Sequence, residues 1–121
     1  MVIIHASLIL KTIWIAGVNG TLLQGNWKDG FKDQGSVDDN QLFYSLTKFN
    51  NQIYLASNLG LFVYDGNKIS ELQPGLTPEL QDAGVVDAID GVLWSIGPKD
   101  IARFDGVTWT RIDHPDNPPI R

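Results

Sequence analysis

Proton transfer near neutral pH needs a histidine or a carboxylate of shifted pKa, and this 121-residue sequence holds two histidines, His5 and His114. His5 stands inside the apolar run Ile3-Ile4-His5-Ala6-Ser7-Leu8-Ile9, where a strand would present it as a ligand or general base; His114 falls in a proline-rich tail. Asp87 follows Thr47 by 40 residues and Ser7 by 80, so three small polar side chains could share one level of a repeated structure and hold water or a small ligand. Solvated lining accounts for Asp87, and a packed strand position for His5, without any ligand. Asp38-Asp39-Asn40 offers the oxygen ligands that Ca²⁺ takes, yet lacks the alternating Asp-x-Asp-x-Asp-Gly spacing and the downstream glutamate, so it reads as a polar turn. Asp65 and Asp105 look like paired carboxylates for acid and base work, but each precedes a glycine, and Asp-Gly is what a hairpin turn requires. Trp27, beside Lys28-Asp29-Gly30, is expected to be exposed, where an indole stacks on a sugar or anchors a protein partner. With no cysteine and no nucleophile elbow, no catalytic residue, metal or cofactor is assigned.

The elements that must position these residues come from an internal repeat. Ile13-Trp14-Ile15-Ala16 recurs as Ile53-Tyr54-Leu55-Ala56 and as Leu93-Trp94-Ser95-Ile96, an offset of 40 each time. The flanks follow: Gly20-Thr21-Leu22-Leu23 falls on Gly60-Leu61-Phe62-Val63 without a gap, and the apolar N-terminus becomes the first strand of the first copy. That assignment displaces a signal peptide, since no basic residue precedes the apolar run and the run is too short to span a bilayer. Asn50-Asn51 and Asp90-Gly91 are two-residue hairpin signals, and Asp65-Gly66 and Asp105-Gly106 repeat that chemistry one hairpin later. Each copy therefore predicts four short strands, in the second copy near 43–49, 52–57, 60–64 and 68–72, with one helical turn conceivable at Thr77-Pro78-Glu79-Leu80-Gln81. The expected organisation is a single domain, 1–121, of repeats at about 3–42, 43–82 and 83–112 with a Pro-rich tail at 113–121.

The fold class expected is all-β: three four-stranded antiparallel blade-like repeats of the β-propeller kind. Tyr64-Asp65-Gly66-Asn67-Lys68-Ile69 and Phe104-Asp105-Gly106-Val107-Thr108-Trp109 resemble the blades of bacterial propellers of the two-component-regulator and related WD-like types. The Gly-His and Trp-Asp marks of true WD repeats are missing, so the resemblance implies the fold and no functional residue. A closed propeller needs at least about four blades. Three blades leave two sheet faces open, and a two-fold homodimer closing a six-bladed ring is the expected remedy. A stretch of a longer propeller, or a sandwich or prism of three sheets, meets the same pattern. Whole blades at both ends favour the self-contained unit. Trp14, Tyr54 and Trp94 share one repeat position and are expected between blades, with Trp109 half-buried at the outer edge.

A formal charge of −5 removes the positive field on which phosphate binding depends, so nucleic acid and membrane are not expected partners. The absence of cysteine fits a cytoplasmic location. The function favoured is a non-enzymatic protein-interaction module or scaffold, gripping its partner with loops 33–42 and 73–82, the tail, and the connections near Asn19, Asn58 and Pro98. Resemblance to compact acidic bacterial propellers implies an immunity-type or assembly protein. The alternative is a small-ligand, carbohydrate-binding propeller; behind it stands a hydrolase or lyase with a channel site at His5 and Asp87. A carbohydrate binder predicts one equivalent pocket per blade, whereas Trp27 aligns with Asn67 and Val107.

Overall fold

A computed structural model describes the chain apart from residues 1–2, 10–11, 38–41, 78, 81–82, 99 and 113–121. Twelve strands form three four-stranded antiparallel sheets, each a meander in chain order. The first sheet holds β1 (Ile3–Ile9), β2 (Thr12–Gly17), β3 (Thr21–Asn26) and β4 (Gly30–Ser36). The second holds β5 (Phe43–Phe49), β6 (Gln52–Ser57), β7 (Gly60–Tyr64) and β8 (Ile69–Leu72). The third holds β9 (Val85–Ile89), β10 (Val92–Ile96), β11 (Ile101–Phe104) and β12 (Trp109–Ile112). No helix occurs among the described residues, and Thr77, Glu79 and Leu80 lie in irregular chain rather than the conceivable helical turn. The first strands pack in a row, β1 on β5 and β5 on β9, so they form the inner edge of the stack.

Asn50 and Asn51 adopt φ of 50° and 62°, and Asp90 and Gly91 φ of 52° and 79°, the left-handed pair that a tight hairpin requires. The gap-free offset of 40 fails within the first copy, first at the β2–β3 turn. Ala16 pairs with Leu22, six residues on, while Ala56 pairs with Leu61, five residues on. The β2–β3 turn of the first sheet, with Asn19 and Gly20 both at positive φ, is one residue longer, so Leu22 rather than Thr21 corresponds to Leu61.

Along β3 the offset is 39, and Asn26 takes the place of Asp65; the β3–β4 hairpin is itself one residue longer, since Gly25 pairs with Phe31, six residues on, and Tyr64 with Ile69, five on. The hydrogen bonds agree: Asn26 Oδ1 accepts from the Lys28 and Asp29 amides at 2.9 and 2.8 Å. Asp65 Oδ1 accepts from Asn67 and Lys68 at 2.9 and 3.0 Å, and Asp105 Oδ1 from Val107 and Thr108, both at 2.8 Å. All three outer hairpins thus carry the same side-chain cap, on a turn one residue longer in the first sheet. In the two aspartates the Lys68 and Thr108 amide hydrogen bonds, with those of Asn67 and Val107, hold the carboxyls below the usual carboxylate range. A folded pKa below the unfolded one gives stabilisation that is present above the unfolded pKa and lost as pH falls through the folded one. The variant Asp65→Asn/Asp105→Asn keeps the turn in the form used by Asn26 and removes the titration. Its melting temperature is expected below wild type at pH 7, with the gap closing in acid. A gap independent of pH would contradict a charge-dependent turn.

Alternate residues of each strand face the next sheet in the chain, the forward face, or the preceding one, the rear face. Forward residues Ile9, Trp14, Ala16 and Leu22 of the first sheet pack on rear residues Leu46, Ile53, Leu55, Phe62 and Tyr64 of the second. Forward residues Phe49, Tyr54, Ala56 and Leu61 of the second pack on Val86, Leu93, Phe104 and Trp109 of the third. Trp14 and Tyr54 therefore lie between sheets as expected, whereas Trp94, expected there too, lies half-buried on the forward face of the third sheet, which no further sheet of the chain covers, and Trp109 is half-buried. A bulge between Phe43 and Ser45 turns Phe43 onto the rear face, where its ring meets Phe62 edge-on at 5.6 Å.

Candidate functional site

Antiparallel order puts the β1–β2 and β3–β4 type turns of every sheet at one end, and the β2–β3 type turns with the inter-sheet links at the other. At the link end Leu42 bridges to Val18 of the first sheet and is clasped by Asn58, whose Oδ1 accepts from the Leu42 amide at 2.8 Å. The Ala83 amide donates to Ser57 O at 3.2 Å, tying the entry of the third sheet to the second. On this tied rim Asn19, Leu59 and Pro98 are exposed, Leu59 to 64%.

His5, Ser45 and Val85 occupy one position, opposite Ala16, Ala56 and Ile96. Ser45 is buried and its hydroxyl accepts from the Val86 amide of the next sheet at 2.8 Å, a pin between sheets. His5 is half-buried, and burial pushes its imidazole below the ordinary value. Asp87 is exposed opposite Trp94 on the forward face of the third sheet, with β5 between it and the strand of His5. The two residues proposed for a channel site are therefore not brought together. Asp38 and Asp39 lie outside the described residues. Trp27 is 87% exposed at the tip of the β3–β4 hairpin, and Val107 is 88% exposed at the tip of β11–β12. With the corrected register Trp27 follows Asn26 as Gly66 follows Asp65, so it does not correspond to Asn67 or Val107. Among the described residues no group of three or more His, Asp or Glu side chains comes together to hold a metal, and no helix is long and apolar enough to cross a membrane.

Two further features stand out, the first expected from three blades and the second hidden in the sequence. The forward face of the third sheet is uncovered: Val85, Ile89 and Ile96 are exposed and Trp94 and Ile101 half-buried, at positions that the second sheet buries under the third. The rear face of the first sheet is open in the same way, with Ile3, Leu8 and Phe31 exposed. The second feature is a cleft of about 220 Å³ between the first two sheets, walled by Ile9, Trp14, Ile53 and Tyr64, with Lys48 and Asn51 among its polar lining. Its signal was Ile9 at the repeat position of Phe49.

No family model matches this chain. It is similar to the immune protein Tsi7 of Pseudomonas aeruginosa, with 35% identity over 102 residues, 84% of this chain and 33% of that protein. The chain thus spans about a third of the length of that relative. Among solved structures it resembles YCF48 bound to D1 peptide, a β-propeller, with a TM-score of 0.67 and 19% identity over 90% of this chain and 38% of the other. That likeness shows the fold: the three sheets are blades of propeller type.

Proposed function

We propose that this chain is a non-enzymatic, cytoplasmic protein-binding module of the bacterial immunity type, which neutralises a toxin by gripping it. The observation that carries this reading is the 35% identity to the immune protein Tsi7 over 102 residues of the chain. The neighbour YCF48 is bound to a peptide, which supports a binding role for such blades. The link-end rim is the proposed gripping face, because its loops are held in place by the Leu42–Asn58 clasp while Leu59 projects from it. A net charge of −5 favours a basic partner through steering.

The open end faces supply the second part of the reading. A second copy, its rear face on the forward face of the first and the reverse, completes a ring by repeating the two seams already present within the chain. The test of the toxin reading is co-expression with the product of the adjacent gene. The expected result is restored growth together with a stoichiometric complex; a growth-arresting neighbour that neither binds nor is silenced would sink it. Leu59→Asp is expected to weaken that complex at least tenfold in titration calorimetry, and unchanged affinity would move the gripping face elsewhere.

A further inference from the structure

The two internal seams share a plan but not a filling. Between the second and third sheets Phe49 closes the hairpin end, with ring contacts to Tyr54 at 6.0 Å and Phe104 at 5.8 Å, and Phe104 stacks on Trp109 at 4.9 Å. Between the first and second sheets Ile9 stands in the place of Phe49 and Gln24 in that of Val63. Lys48 and Asn51 stand where the other seam has Ala88 and Gly91. A smaller side chain leaves the cleft open, and its lining is polar where the neighbouring seam is bare.

The cleft has a rigid apolar wall and a cationic mouth. Trp14 and Tyr64 are tilted at 58° with centroids 5.9 Å apart, and the Tyr64 hydroxyl donates to Gln34 Oε1 across the seam at 2.8 Å, which fixes its ring. No carboxylate lines the cleft, and Lys48 makes no ion pair, among the described residues. An apolar cavity of about 150 Å³ holds a benzene, so 220 Å³ admits a phenyl-sized body with a short polar arm.

We propose that this cleft binds a small organic acid with an aryl or branched aliphatic body, the body against Ile9, Trp14 and Ile53 and the carboxylate at the Lys48 ammonium and the Asn51 amide. An ammonium without a counter-charge in the cleft favours a carboxylate over its neutral amide. The carboxylate is either that of a free acid or that of a peptide C-terminus; the chemistry is the same.

Phenylacetate, phenylacetamide and the peptide Gly-Gly-Phe are titrated into the full chain while the Trp14 indole and Asn51 resonances are followed by NMR. Saturable shifts at both are expected with phenylacetate, at least tenfold weaker with phenylacetamide. Lys48→Met, which keeps the apolar stem, should weaken phenylacetate at least tenfold. Ile9→Phe should abolish binding by filling the cleft as Phe49 fills the next seam, with the rest of the spectrum native. Tighter binding of the peptide assigns a chain terminus as ligand and tighter binding of phenylacetate a free acid, and both uphold the site. Absence of saturable shifts below about 10 mM, equal binding of the amide, or binding that survives Ile9→Phe in a folded protein would overturn the proposal.

Discussion

Ile89→Asp/Ile96→Asp is expected to turn a two-chain species into a 13.4 kDa monomer on a light-scattering column at micromolar concentration. The argument runs through the seams. Ile89 occupies the position of Phe49, which is 7% exposed under the third sheet, and is itself 52% exposed; Ile96 occupies that of Ala56, exposed 0%, and is 44% exposed. A second copy on this face would bury them, and fully burying an isoleucine is worth roughly 1.5–3 kcal/mol. Aspartate reverses that sign, because a carboxylate in a dry seam has no partner. Association should weaken at least 100-fold, about 2.7 kcal/mol. The fold should survive, since both side chains reach solvent in the isolated chain, and an unchanged far-UV circular dichroism spectrum checks this. Leu8→Asp on the opposite open face should act in the same way, as the other half of one contact. Trp27→Ser lies at a hairpin tip outside either face and should leave the mass unaltered. A wild type that is monomeric at these concentrations would refute closure by a second copy.

What could be read from the residues was the local chemistry that each repeat states for itself. Asn50-Asn51 and Asp90-Gly91 mark hairpins because few residues adopt left-handed pairs, and the strands expected at 43–49, 52–57 and 60–64 match β5, β6 and β7. The fourth, expected from 68, begins at Ile69, since Lys68 is the last residue of the capped turn. The inserted residue in the first β2–β3 turn was hidden because Gly20-Thr21-Leu22 presents the same glycine-then-apolar pattern as Gly60-Leu61, and only cross-strand pairing distinguishes the two. That slip also concealed Asn26 as the counterpart of the aspartates. Nothing in the residue pattern marked Ser45, whose hydroxyl bonds to the next sheet, a role decided by packing between repeats. The cleft has the same origin: Ile9 in place of Phe49 is a conservative change within a strand, and its consequence lies in the space shared with another sheet.

The difference between those two residues predicts very different costs of truncation. Phe49→Ala removes a ring that touches Tyr54 within its own sheet and Phe104 in the next, and through Phe104 the stacked Trp109. The void would lie between two sheets that are themselves rigid, so it could close little. Truncations of this kind cost about 3–5 kcal/mol, a large part of the roughly 5–15 kcal/mol available to a small protein. Ile9→Ala removes a half-buried side chain from the wall of an existing cleft and should cost about 1–2 kcal/mol, because fewer contacts are lost and solvent already reaches the space. Urea unfolding followed by tryptophan fluorescence compares the two directly, with Phe49→Ala expected to have much the lower midpoint. Equal losses would mean that the two seams are equally well filled, and the cleft would then have no structural basis in the exchange of Phe for Ile.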